Sequence, residues 1–163
     1  MCVLSLAQGP QRKAIFCYGY NTSGFRFHTK QHDESRKTQN YGVMVRSDDQ
    51  SVIVPYYVVL KEIVELSYAE GNKVVLFNCD TFREKIGYKR DRHGRVILNM
   101  SRKLNTQEPF VLASQALQIY YVRGIKDPTW GTAIETKPRN LFPWMKEIHI
   151  KKKRFNILMC LPL

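Results

Sequence analysis

Between Val52 and Arg139 runs a continuous block dominated by β-branched and aromatic side chains. It opens VIVPYYVVLKEIVELSY, continues through KVVLFNCD and RKLNTQEPFVLASQALQIYYV, and ends in AIETKPR. Branching at Cβ restricts χ1 in a helix, whereas the same side chains fill a pleated surface well. Turn residues and one very basic loop separate the runs. Such a chain predicts a mainly β fold. Five or six short strands share a buried face, closed as a small antiparallel barrel or bent as a curved sheet of SH3-like size.

Punctuation sets the individual elements. In residues 57–68 the apolar spacing partly suits a helix, but the β-branched and aromatic content favours a strand. The turn signal Gly71–Asn72 follows, and then residues 73–79, a clear strand, so the pair reads as a hairpin. Pro55 holds Val54 extended and belongs at a strand start or edge. Further strands are predicted at 96–100, 109–113, 118–122 and 132–136. A tight turn or helical kink is expected near Ser114–Ala116, and a turn centred on Asp127–Pro128. Residues 83–95, REKIGYKRDRHGR, read as a long loop.

Three regions follow from this pattern. Residues 1–51 read as a flexible N-terminal extension or linker, with short strands at 25–28 and 42–45. Residues 52–142 form the β domain. Residues 143–163 form a basic and apolar tail, KKKR followed by FNILMCLPL, expected to be poorly ordered.

Charge is unevenly distributed along the 163 residues, whose net charge is +12. Residues 1–39 hold six Lys/Arg and two acids, residues 40–82 three and six, and residues 83–163 seventeen and six. A basic second half suits a polyanionic partner, most often nucleic acid. Cys2, Cys17, Cys79 and Cys160 are scattered, with no CxxC pair. The N-terminus lacks the layout of a secretory signal, so an intracellular chain with reduced thiols is expected. Cys79 reads as a buried core cysteine. No run approaches the roughly 20 apolar residues of a membrane span, and no membrane partner is expected.

Several segments together carry a resemblance. QNYGVMV, VPYYVVLKEIVELSY, KVVLFNCD, YKRDRHG, RKLNTQEPFVLASQALQIYYV and TKPRNLF, in this order and spacing, resemble a plant domain of unknown function. That domain lies in the C-terminal part of transposase-like proteins of CACTA (En/Spm-type) DNA transposons. The preceding GFRFHTKQHDESRKTQN resembles the linker that leads into it. The resemblance covers about residues 19–142 and implies a fragment of a longer protein whose catalytic region lies upstream. This chain departs from the family pattern at Val58, where Gly is usual, at Thr81, where Trp is usual, and at Arg95, where an aromatic is usual.

Candidate chemistry is sparse. A metal-dependent transposase needs three carboxylates converging on divalent ions. Asp80, Asp91, Glu108 and Glu135 are spread singly, in no such motif. His28 and His32, four apart with Cys17 upstream, have a zinc-like spacing, but the segment is not convincingly helical and a fourth ligand is missing. They read as two solvated loop histidines. Ser114 lacks a His partner, and no phosphate-cradling or dinucleotide fingerprint occurs. No catalytic residue, metal ligand or cofactor is therefore predicted.

The basic loop is the strongest site candidate. Arg83, Lys85, Lys89, Arg90, Arg92 and Arg95 can track a phosphate backbone, Tyr88 can stack on a base or sugar, and Gly87 and Gly94 allow close approach. Arg102 and Lys103 extend the patch. His93 reads as a surface or phosphate-proximal residue. Residues 151–154 have the composition of a nuclear localisation cluster. Trp130, Tyr120 and Tyr121 invite comparison with an aromatic cage for methylated lysine, against a simpler packing role. The expectation is thus a non-catalytic accessory domain that contacts DNA or the transposition complex, in the nucleus. The alternatives are a module that binds another transposase region or a chromatin protein, a nonfunctional transposon relic, and a cytoplasmic location.

Overall fold

The computed structural model describes residues 7–46, 55–82, 88–101, 103–104, 110–139 and 153–156, of which 88, 103–104 and 153–156 are described by backbone. The protein is mainly β, a curled antiparallel half-barrel. Its spine is a long hairpin. The first arm is β5 (Pro55–Ser67, counted along the chain), with eight of its thirteen residues apolar by sequence; the second is β6 (Lys73–Phe82). They pair from Val58↔Thr81 to Ser67↔Lys73 around a turn at Ala69–Gly71. One irregularity interrupts the register between Leu60 and Glu62. A bulge there lets β5 bend, which is how a strand this long follows a curved sheet.

The other edge of β5 serves two partners. Its first half pairs with β4 (Gly42–Arg46), from Gly42↔Val59 to Arg46↔Pro55. Its second half pairs with β1 (Lys13–Cys17), from Ala14↔Leu66 to Cys17↔Ile63. Beyond β4 come β11 (Leu117–Arg123), β12 (Trp130–Glu135), β8 (Val96–Asn99) and β7 (Tyr88–Arg90). β9 (Lys103–Leu104) and β10 (Phe110–Leu112) line the far edge of β6.

Chain length dictates the curl. In a flat sheet β9 would stand six strand spacings from β8, about 29 Å at about 4.8 Å each. Yet Lys103 follows Asn99 by four residues, a reach of about 15 Å at most. The sheet must roll until its two ends approach, and the core fills the inside. Phe27, Phe77, Leu60, Ile63, Val43 and Ile119 are fully shielded from solvent. Tyr121, buried on β11, donates its hydroxyl to Val58 O (3.0 Å) and meets Phe82 edge-on at 5.7 Å. Val58 is itself a buried core residue. Burial pushes the Cys79 thiol up to about 12, with the Asp80 charge adding to the effect, so Cys79 is a neutral packing group.

Two segments differ from the sequence reading. Residues 13–46, expected to be mostly linker, hold four strands: β1, β2 (Gly19–Thr22), β3 (Phe25–His28) and β4. The expected strands at 25–28 and 42–45 are both present. Residues that look like loop punctuation are turn chemistry. Ser23 and Gly24 both take positive φ, 51° and 80°, and join β2 to β3 as a two-residue hairpin. That hairpin sends Phe27 against Phe77, ring centres 5.0 Å apart. In the tail, β13 (Lys153–Asn156) pairs with the outer edge of β1, from Lys13↔Asn156 to Phe16↔Lys153. An edge with unpaired backbone groups readily accepts a further strand. Residues 143–152 and 157–163 lie outside the described residues. Among the described residues no helix is long and apolar enough to cross a membrane.

Gly42 marks the closest backbone approach. A Cβ there would run into the carbonyl oxygen and side chain of Ile119, the residue it pairs with on β11. The carbonyl belongs to a paired strand inside the sheet, so it cannot swing aside. Gly42→Ala is expected to lower unfolding free energy by about 1–3 kcal/mol through overpacking, with an unchanged slope in urea denaturation. A loss below a few tenths of a kcal/mol would show that β4 and β11 can separate freely.

Candidate nucleic-acid interface

The basic segment is a hairpin. β7 and β8 pair from Tyr88↔Leu98 to Arg90↔Val96, with Val96 and Leu98 buried beneath. Residues 88–90 were expected in a long loop. They form a strand because the apolar positions of β8 give them an edge to pair with. Asp91 organises the turn: Oδ1 accepts the backbone N–H groups of His93 (2.8 Å) and Arg95 (2.9 Å), and Oδ2 accepts Arg95 Nε at 2.7 Å. Partial desolvation pushes the Asp91 carboxyl up. The hydrogen bonds from Arg95 and His93, with the Arg95 charge, outweigh it and hold the group below its ordinary value.

Four expected cations project from this frame. Lys89, Arg90, Arg92 and Arg95 are all exposed. Arg90 Nη1 donates to Gly94 O (3.2 Å), and Arg92 Nε to His93 Nε2 (3.0 Å). Lys89 Nζ lies 4.6 Å from the ring centre of Trp130, a cation–π contact across the sheet. Beside the hairpin opens a cleft of about 450 Å³ lined in part by Arg46, Arg90, Arg95, Tyr57 and Glu135. Arg46 and Glu135 approach to 4.0 Å at its rim. Three guanidinium-bearing residues around one cleft, over a tyrosine, can seat an oxyanion by forked hydrogen bonding.

The remaining expected residues fare differently. Tyr88 is described by its backbone alone, in β7. Lys103 lies in β9, its backbone opposite Phe82 on β6, off the hairpin. Arg83, Lys85, Gly87 and Arg102 fall outside the described residues. Sequence reasoning missed Arg46, 44 positions upstream of Arg90, and the exposed Arg123 and Lys126, which flank the turn that ends at Trp130. No local pattern links Arg46 to the hairpin; strand order sets it on the same cleft as Arg90 and Arg95. The aromatic cage does not form. Tyr121 points into the core and Tyr120, 39% exposed, points out, because successive strand residues face opposite ways. Trp130 is engaged by Lys89.

The acids considered for catalysis are dispersed. Asp80 sits 3.4 Å from Lys61 Nζ, Asp91 holds the turn, and Glu135 faces Arg46. Glu108 lies outside the described residues. The histidines differ from expectation. His28 is buried, not solvated, and its Nδ1 is 2.8 Å from Oδ1 of buried Asp33.

With this geometry in place, comparison with known proteins finds one family. Residues 64–133 match the model of a domain of unknown function, DUF4216. The matched stretch begins inside β5 and ends inside β12, so the β7–β8 hairpin and Trp130 both lie within the DUF4216 region. No curated protein and no solved structure matches the chain.

Asp91 gives the hairpin a pH signature. Its folded value is depressed, so its contribution is complete above the ordinary aspartate value near 3.9 and is lost as pH falls through the lower folded value. Amide-exchange protection at His93 and Arg95 is expected to hold down to about pH 4 and to fade below it. In Asp91→Ala that protection should be absent at neutral pH. Protection independent of both would mean the turn is held by its backbone alone.

Proposed function

We propose that this chain is a non-catalytic accessory module, derived from a plant CACTA-type transposase, that binds DNA in the nucleus through the β7–β8 hairpin. One observation carries the reading: Lys89, Arg90, Arg92 and Arg95 are exposed on a braced hairpin, beside a cleft that Arg46 also lines. A braced cation loses less freedom on meeting a phosphate than one on a loose loop. Attraction to phosphates is largely independent of base sequence. The DUF4216 match covers the hairpin, and the single, engaged acids favour binding over phosphoryl chemistry.

A second reading has its own support. Tyr120, Val122 and the fully exposed Ile125 crowd β11 and the turn after it. Apolar exposure of this kind marks protein contacts, here with another transposase region or a chromatin protein.

Fluorescence anisotropy of the full chain with a labelled duplex, across a salt series, tests the first reading. Four cation–phosphate contacts predict a log–log slope of about −3.6, an affinity loss of roughly 150-fold between about 50 and 200 mM salt. Arg90→Glu/Arg92→Glu should weaken binding and flatten the slope by about 2, while circular dichroism stays unchanged. A folded chain without affinity at low salt sinks the DNA reading. Peptide capture that ignores the charge reversal would favour the protein reading.

A further inference from the structure

We propose that His28, His32 and Asp33 together bind one divalent transition-metal ion of the zinc type. One donor atom from each of the three residues lies within 4.8 Å of the others. The two imidazoles meet edge-on, ring centres 4.8 Å apart, and His28 and Asp33 are buried. A hydrogen-bonded latch between β3 and the helical turn that follows needs one histidine. Bringing a second imidazole against the first puts two basic rings in one small space, and a shared cation turns that crowding into attraction.

The donors come from two pieces of backbone. His28 ends β3, and its N–H donates to Asn40 O (3.0 Å). His32 and Asp33 sit on one helical turn, α1 (Lys30–Asp33), capped by Thr29, whose hydroxyl accepts His32 N–H at 3.4 Å. The His32 ring stacks on Tyr18. The Asp33 N–H returns to Thr29 O (3.2 Å), and its Oδ2 accepts Asn40 N–H at 2.6 Å. A carboxylate whose second oxygen is already bonded, as Asp33 Oδ2 is by Asn40, is held in place for its first oxygen to take a metal.

The spacing needs little adjustment. Bonds of about 2.0–2.2 Å to a tetrahedral ion set the donors about 3.3–3.5 Å apart. The ion enters between His28 Nδ1 and Asp33 Oδ1, now 2.8 Å apart, which open by about half an ångström. The proton between them leaves to water, as ligand protons do on metal binding. His32 closes by up to about 1.5 Å, within reach of a side-chain rotation. Two imidazoles and a carboxylate suit zinc and its neighbours, whereas calcium and magnesium favour all-oxygen shells. The ion would add a bond between β3 and α1 to the His28–Asp33 hydrogen bond and the Asn40 bridge that join them now.

The test uses the full chain, stripped with chelator, kept reduced, and titrated with Co²⁺. The expected result is a saturable visible d–d band without thiolate charge transfer, displaced by Zn²⁺, with a raised melting temperature. His32→Ala, on the less buried side of the cluster, should keep its circular dichroism and bind Zn²⁺ at least about 10-fold more weakly. Asp33→Asn, which retains an oxygen for the Asn40 N–H, should also weaken binding. Absence of the band, a thiolate band pointing to cysteines, or wild-type affinity in His32→Ala would each overturn the proposal. None of these readouts depends on DNA binding.

Discussion

Everything in this fold hangs on the two-sided use of β5. Along one edge it carries β6 for almost its whole length. Along the other it is divided between β4 and β1. The division falls where the strand bends: pairing with β4 ends at Val59 and pairing with β1 begins at Ile63, on either side of the bulge near Lys61. The bend points β4, and with it β11, β12 and β8, around the core, while β1 continues in the other direction. The short link from β8 to β9 then leaves the sheet no flat alternative.

The parts legible in the sequence are those whose local chemistry matches their final environment. The β5–β6 hairpin, β8, β10, β11 and β12 announce themselves through β-branched runs and turn residues, and their positions agree with expectation. Polar surroundings disguise what lies upstream. The strand of Phe25 and Phe27 was expected, but β1 and β2 just before it, set among Asn, Thr, Ser and charges, were not, and Phe27 meets its partner Phe77 fifty positions on. The same blindness affects the sites. Lys89, Arg90, Arg92 and Arg95 are adjacent in sequence and were found there. Arg46 joins them by strand order. His28 and His32 read as solvated because Asn40 and Asp33, which close around them, make their bonds only once the loop folds back on itself.

Charge placement follows a division of labour. Several acids answer a nearby cation or a backbone donor: Glu65, almost fully buried, lies 3.1 Å from Lys73 Nζ, and Asp127 binds both the N–H and the hydroxyl of Thr129. These acids brace strands and turns. Among the described residues of the second half every Lys and Arg side chain with a burial assignment is exposed, so there the outward field is set by cations while the acids shape strands and turns.

The pairing of Lys13 with Asn156 has a consequence for how the chain is made. These partners are separated by nearly the whole described length. During synthesis β1 can settle on β5 early, but its outer edge stays bare until the ribosome has delivered residue 156. Contacts this remote in sequence form slowly because a long loop must close first. In the interval the open edge offers the same hydrogen bonds to any neighbouring extended chain. Among the described strands the one farthest along the chain is therefore the one that ends this exposure.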